Sequence, residues 1–351
     1  MRIYIHIPFC DSKCGYCAFF SQTNQEYLIQ DYFKALYKDI QYTLAIHNIT
    51  YISSIFIGGG TPNVVPARYY ESIFELLMPL CNIENANSSI EISIESNPNT
   101  LTQEWLETLC YFGVNRLSLG VQSFYSDKLI LLQRAHSPRD IAHSFDLATR
   151  FLDNISLDMI YDCSLDSKFR LQDELAMALN LGISHISAYS LSIDKDSSFA
   201  KTNSNHLLRQ ESLGYVVRDF LCLNGALHYE VSNFALPKKC QHNLGYWNSE
   251  EYLGFGASAV SRVGTKRTYA TKNLQGYIAN PSYRIIEELS LRDLEFEEIF
   301  LGFRSEVGVR RKLLNQERLN IALSNNLCLE KDSRVYSKDF FIADELALYL
   351  C

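Results

Sequence analysis

The chain has 351 residues, of which 47% are hydrophobic, 13% aromatic and 21% charged, a balance that excludes disordered and fibrous classes and suits one large globular domain with an appendage. Its formal charge of -8, from 32 Lys plus Arg against 40 Asp plus Glu, argues against a nucleic-acid backbone as partner. No apolar run approaches the roughly 20 residues that span a bilayer, and the N-terminus enters a strand-like segment with no signal-peptide pattern; the expected location is the cytoplasm, with peripheral membrane contact left open.

Six short runs rich in β-branched residues recur: RIYIHIP from Arg2, SSIFIGG from Ser53, IEISIES from Ile90, RLSLGVQ from Arg116, ISLDMIY from Ile155 and SHISAYSL from Ser184. Each predicts a buried strand. Helical spacing fills the gaps over Glu26–Ile46, Pro66–Leu80, Thr102–Phe112, Pro138–Phe151 and Phe169–Leu181. Strand then helix, repeated, predicts an α/β fold: an incomplete, TIM-like (β/α)6 barrel whose wide mouth suits a large substrate. The first three cysteines, Gly58–Thr61, Glu95, Asn97 and Gln122 fall at the C-terminal ends of successive strands, the rim where such barrels bind ligands. After about Thr202 the pattern changes to a helix near Leu207–Leu223, then HYEVSNFA, then the Gly- and aromatic-rich HNLGYWNSEEYLGFGASAVS. The expected division is a barrel over 1–200, an extension over 201–282 and a small, mainly helical or winged domain over 283–351.

Ten cysteines without a secretion signal point to metal or catalysis more than to disulfides. Cys81, Cys110, Cys163, Cys222, Cys240, Cys328 and Cys351 are scattered, but Cys10, Cys14 and Cys17 form C-x3-C-x2-C. Three thiolates on one tight loop reach three irons of a [4Fe-4S] cubane and leave the fourth iron open. Zinc is the alternative, although structural zinc takes four protein ligands, usually as two separated pairs. One strand later, IFIGGGTPN places three glycines at a strand end, where the backbone can approach a ligand closely; taken alone, the run is equally a tight turn.

In these residues the chain resembles the radical S-adenosylmethionine superfamily, with Tyr16 at the aromatic position of its C-x3-C-x-aromatic-C signature. ISIESNP, RLSLGVQSF, LQRAH and LDMIY are similar, in order, to segments of the subfamily that holds oxygen-independent coproporphyrinogen III oxidases and their heme-chaperone relatives, and the resemblance runs from Ile3 to about Ser261. It implies a [4Fe-4S] cluster on Cys10, Cys14 and Cys17 whose open iron is chelated by S-adenosylmethionine. It also implies that Tyr4, Tyr16, Gly59, Gly60, Thr61, Glu95, Gln122, Arg134 and Asp158 contact that cofactor. An Arg fork suits a methionine carboxylate, and Gln and Asp suit ribose hydroxyls.

Two departures bear on the subfamily. The decarboxylases carry a further cysteine two residues after the third, where this chain has Phe19; and DMIYDCSLDS replaces D-x-I-Y-G-L-P, so Asp162 and Cys163 predict a reshaped loop after the fifth strand. His242, Asn243, Tyr246 and Trp247 match the H-N-x-x-Y-W signature of the heme-chaperone branch. That match makes His242 the candidate axial ligand for heme, with Cys240 a weaker one; a packed, hydrogen-bonded histidine is the plainer reading of the same residue, and His6 is read as structural. The leading expectation is a heme chaperone that carries heme to client proteins, with the cluster and S-adenosylmethionine as companions and an unspecified electron donor. The alternatives are oxidative decarboxylation of coproporphyrinogen III and an interaction protein whose cluster only stabilises the barrel.

Overall fold

The computed structural model describes residues 1–81 and 90–351. Its first part runs β1 (Arg2–Ile7), α1 (Ile29–Ile46), β2 (Ser54–Gly59), α2 (Glu71–Leu77), β3 (Glu91–Ser96), α3 (Gln103–Tyr111), β4 (Arg116–Gln122), α4 (Ser126–Leu131), α5 (Pro138–Ala148), β5 (Ile155–Tyr161), α6 (Lys168–Asn180) and β6 (His185–Ser190). The six strands pair in parallel in chain order, the incomplete barrel that the alternation predicts. Local chemistry starts the helices where expected. Thr102 Oγ1 accepts from Trp105 N–H at the start of α3, and Ser137 and Asp140 form a reciprocal cap around Pro138 at the start of α5. α1 lays Tyr32, Phe33, Leu36, Ile40 and Leu44 against the sheet at spacings of three and four.

The chain continues through α7 (Ser198–Lys201), α8 (Gly214–Leu223), β7 (Leu227–Glu230), β8 (Asn233–Ala235), α9 (Gln241–Trp247), β9 (Tyr252–Phe255), β10 (Val260–Val263), β11 (Lys266–Ala270), α10 (Leu274–Ala279) and β12 (Arg284–Glu288). β9 adds in parallel beside β1, and β10 to β12 follow it antiparallel; at the other edge β8 pairs antiparallel with β6 and β7 with β8, so one open sheet of twelve strands results. β12 carries this sheet past residue 282, the boundary expected from composition. The C-terminal part, α11 (Leu291–Phe303), β13 (Val309–Arg310), α12 (Gln316–Ser324), β14 (Cys328–Lys331), β15 (Arg334–Ser337) and α13 (Ala343–Leu350), closes over its own core of Ile299, Phe303, Leu319, Val335 and Leu346. No helix among the described residues is long and apolar enough to cross a membrane.

The helices depart from expectation in places: α2 is shorter than the expected Pro66–Leu80, α4 lies where none was expected, and a third starts late. The helix predicted from Leu207 begins at Gly214, because the preceding backbone is committed elsewhere: Ser164 N–H donates to Leu207 O (2.7 Å), Arg209 N–H to Asp162 O (2.9 Å) and Leu213 N–H to the Asp162 carboxylate (2.7 Å). These bonds belong to the loop after β5. Asp162 has φ of 67°, the left-handed region that explains a glycine in the relatives' pattern and that Asp tolerates better than most residues. Its carboxylate also accepts from Ser190 and Ser212 hydroxyls, both at 2.7 Å. Cys163 is buried with Leu132, Ile160 and Leu191. The loop is reshaped, and it is tied down on both sides.

Glu230, at the end of β7, is almost fully buried. Burial pushes its carboxyl up from 4.5 to about 7, against the pull of Ser232 N–H. The folded state therefore holds a proton that the unfolded state gives up between these two values, so this group's contribution to stability falls as pH rises through that window. Glu230→Gln is expected to gain up to about 3 kcal/mol over wild type at pH 8 and little at pH 4.5. Urea unfolding at both pH values checks this; an equal difference at the two would contradict it.

Candidate functional site

The cysteine loop leaves β1 and is closed at its base by two backbone bonds, Cys10 N–H to Gln22 O (3.0 Å) and Gln22 N–H to Pro8 O (2.7 Å). Cys17 N–H turns back to Cys14 O (3.2 Å), and α7 straps the loop from outside through Phe199 N–H to Gly15 O (2.9 Å). A Cβ at Gly15 would lie 1.9 Å from the buried Phe199 ring, so only glycine lets the strap close. Cys10 and Cys14 are buried and Cys17 is half-buried. Burial pushes the Cys10 and Cys17 thiols up, which keeps them protonated until a metal displaces the proton.

The glycine run sits against this loop. Gly59 has φ of 118°, and a Cβ at Gly60 would meet Phe9 O at 2.6 Å and Cys10 Sγ at 2.9 Å. Thr61 Oγ1 donates to Cys10 Sγ (3.5 Å), and Arg134 Nη1 donates to Cys14 Sγ (3.2 Å) and lies 3.5 Å from the Tyr16 hydroxyl. Arg134 Nη2 donates to Asn97 Oδ1 (2.6 Å) and Gly120 O (2.9 Å), while Asn97 Nδ2 donates to Thr61 Oγ1 (3.1 Å). One polar chain thus joins two thiols through residues of three strand ends. Gln122, buried with φ of 65° beside an irregularity in β4, marks the same rim.

Deeper in the barrel, Glu95 accepts from Gly59 N–H (3.0 Å), and burial with the neighbouring Asp158 pushes its carboxyl up to about 7. Asp158 is also raised by burial, with Ser187 and Ser118 hydroxyls pulling it back. These two buried carboxyls offer acceptors for an ammonium group or hydroxyls.

These residues fit the groups that the sequence implies. Three thiols with hydrogen-bond donors on two of them, in a cradle a Cβ would fill, suit a cubane held through three cysteines. Among the described residues no three His, Cys, Asp or Glu side chains converge on one point, and a cubane, with one thiolate per iron, asks for no such convergence. Arg134 Nε is buried without a hydrogen-bond partner, a donor left over for a carboxylate such as that of S-adenosylmethionine.

Beside Tyr4, Gly59 and Glu95 opens a cavity of about 1070 Å³, at the upper end of the roughly 300–1000 Å³ typical of ligand pockets. Phe19, Phe20, Phe56, Tyr189 and, from α11, Phe300 supply aromatic walls; Lys13, Arg262, Arg267 and Lys272 supply cations beside the carboxyls of Glu95, Asp196, Glu250 and Glu297, the last paired with Arg267. The sequence singles out Tyr4, Gly59, Glu95, His242, Asn243 and Tyr246 of this lining, and Phe19, 70% exposed, as a departure; the rest comes from segments with no shared motif.

His242 lines the cavity but is only 1% exposed, and both ring nitrogens are engaged: Nδ1 with Ser54 Oγ (2.8 Å) and Nε2 with the Tyr246 hydroxyl (3.0 Å). A neutral imidazole has one lone pair, and either tautomer spends it here. Burial, aided by Arg2 and Arg116, lowers its pKa to about 3, so the ring is neutral. The geometry is that of the packed, hydrogen-bonded histidine and runs against a free axial ligand. Cys240 is fully buried, bonded to Glu91 and away from the cavity lining, so it does not serve as the alternative ligand. His6 is held between the Tyr4 hydroxyl (3.0 Å) and Phe20 O (2.8 Å), as a structural residue should be.

Residues 4–161 match the Radical SAM superfamily. Among curated relatives, the heme chaperone HemW of Bacillus subtilis is 33% identical over 88% of this chain and 84% of its own length, that of Buchnera aphidicola (from Acyrthosiphon pisum) 30% over 98% and 92%, and that of Escherichia coli 30% over 87% and 82%. The Escherichia coli coproporphyrinogen III oxidase HemN, a radical SAM enzyme, shares the fold with a TM-score of 0.81 at 20% identity, over 99% of this chain and 89% of that one. A cysteine loop, a glycine cradle and an arginine on one barrel rim, with such relatives along nearly the whole chain, make this protein a member of the radical S-adenosylmethionine superfamily, in the family of the HemW heme chaperones.

Proposed function

We propose that this chain is a heme chaperone: it binds heme in the cavity beside the cysteine loop, carries a [4Fe-4S] cluster with S-adenosylmethionine, and passes the heme to client proteins in the cytoplasm. The observation that carries the reading is the cavity, large, walled by aromatic rings that suit a flat macrocycle and supplied with cations that suit its propionates. The names of the relatives support it, and so does Phe19. Where the decarboxylases carry a thiol, this chain presents an exposed ring on the cavity wall, which offers stacking surface and no sulfur chemistry.

The test is anaerobic reconstitution followed by parallel assays. Hemin is expected to bind about one per chain with a shifted Soret band, and coproporphyrinogen III with reductant and S-adenosylmethionine is expected to remain unconsumed. Release of protoporphyrinogen IX and carbon dioxide at a catalytic rate would replace the chaperone with a decarboxylase.

A further inference from the structure

Proteins hold heme iron through His, Cys, Met or Tyr. No cysteine or methionine lines the cavity; His6, His242, Tyr4, Tyr189, Tyr246 and Tyr252 do. The two imidazoles have no lone pair to give. His6 donates from Nε2 to a carbonyl, which can only accept, so its Nδ1 is the acceptor and is taken by the Tyr4 hydroxyl. His242 is bonded at both nitrogens, as described above.

That leaves the phenols, and of the four that line the cavity Tyr4 and Tyr246 share a hydrogen bond with a histidine. The two pairs differ in direction. Tyr4 must donate to His6, so removing its proton would set a phenolate against a lone pair. Tyr246 stands at the end of a chain that runs the other way: Arg2 Nη1 donates to Ser54 Oγ (3.0 Å), the Ser54 hydroxyl can donate to His242 Nδ1, and Nε2–H can donate to Tyr246 Oη. Every donor and acceptor is then used once, and the chain begins at a guanidinium. Burial raises the Tyr246 phenol and Arg2 pulls it back, although Arg2 Nε also pairs with Glu250 (2.8 Å); the N–H donated from His242 is the contact that a phenolate at the far end would keep. Gly245 makes the route possible, since a Cβ there would lie 1.5 Å from Arg2 Nε. Tyr246 is also less buried than His242, four residues on along the same face of α9.

Granting that this cavity takes heme, as the proposed function holds, we propose that Tyr246 is the residue that ligates ferric heme, through its phenol oxygen, with His242 as the positioning residue that donates to that oxygen. The iron–oxygen bond forms as the phenol O–H loses its proton to water; iron stays ferric and no redox partner is needed. Lys13 and Lys272 also line the cavity and suit two propionate carboxylates, whereas Arg267 is paired with Glu297.

The full-length chain is titrated with hemin as wild type, Tyr246→Phe, Tyr4→Phe and His242→Ala, with absorption, EPR and resonance Raman read on each. Circular dichroism melts and iron content serve as folding controls. Wild type is expected to show a high-spin ferric spectrum with an iron–phenolate charge-transfer band. Tyr246→Phe should lose that band and bind at least about tenfold more weakly, Tyr4→Phe should keep it, and His242→Ala should keep it with a shifted phenolate frequency. A phenolate signature that survives in Tyr246→Phe, or a low-spin imidazole spectrum that vanishes in His242→Ala, overturns the assignment while leaving heme binding intact. Failure of folded wild type to bind hemin at all overturns the heme reading of the cavity, and this proposal with it.

Discussion

Cys10→Ala, Cys14→Ala and Cys17→Ala are each expected to abolish stable cluster assembly, whereas anaerobically reconstituted wild type is expected to hold about four irons and four sulfides per chain. The reason lies in how little else holds the group. The proposed cluster would take three thiolates from the loop and no protein thiol at its fourth iron, so loss of one ligand would leave two, on a loop otherwise held by backbone bonds, the Phe199 strap and a few side-chain contacts such as Asn99 to Asp11 (2.7 Å). Thr61 and Arg134 donate to sulfur and do not ligate. Iron and acid-labile sulfide analysis with EPR decides it. Full iron in all three variants, or zinc in place of iron in wild type, would defeat the assignment. On exposure of wild type to air, the iron without a thiolate is expected to leave first.

Lys128→Met is expected to cost about 3–5 kcal/mol of stability, because it leaves two carboxylates buried without their cation. Lys128 is fully buried on α4 and pairs with Asp166 at 2.7 Å and Glu174 at 2.8 Å, both also without solvent exposure. Asp166 accepts from Cys163 N–H (3.0 Å), and Glu174 accepts from Phe124 N–H (3.0 Å) and the Ser123 hydroxyl. The network therefore ties the reshaped loop after β5 to α6 and to the start of α4. For a domain of this size the melting temperature should fall by on the order of 10 °C. Because α4 leads directly into Arg134, the variant should also bind S-adenosylmethionine more weakly. Calorimetry or urea unfolding measures the first effect, and a loss below about 1 kcal/mol would show that the carboxylates find water or protons cheaply.

The barrel was legible from the sequence because its signals are local. Each strand announces itself by a run of β-branched residues and most of the helices by a spacing, and six repeats in series leave a parallel sheet as the consistent topology. The helix expected at Leu207 failed for the opposite reason. Its backbone donors and acceptors were claimed by Asp162 and Ser164, some forty to fifty residues earlier, a competition that no local propensity records. The sheet beyond residue 282 was hidden likewise, since β12 is a strand only by virtue of β11 beside it.

The site divides along the same line. Three cysteines within eight residues, glycines one strand later and an aromatic at position 16 are readable in order, because ligands on one loop meet whatever the rest of the chain does. What each polar group has left to offer was settled only by folding. Arg134 became a donor to Cys14, Asn97 and Gly120 because three strand ends converge. His242, conspicuous in its motif, had its lone pair consumed by partners at positions 54 and 246. The cations and rings of the cavity, from Lys13 to Phe300, share no spacing at all. Composition, period and motif state which groups a chain possesses. Which of them keep a free lone pair, a free proton or an open face depends on neighbours hundreds of residues away, since hydrogen bonds and burial act over a few ångströms of space without regard to distance along the chain.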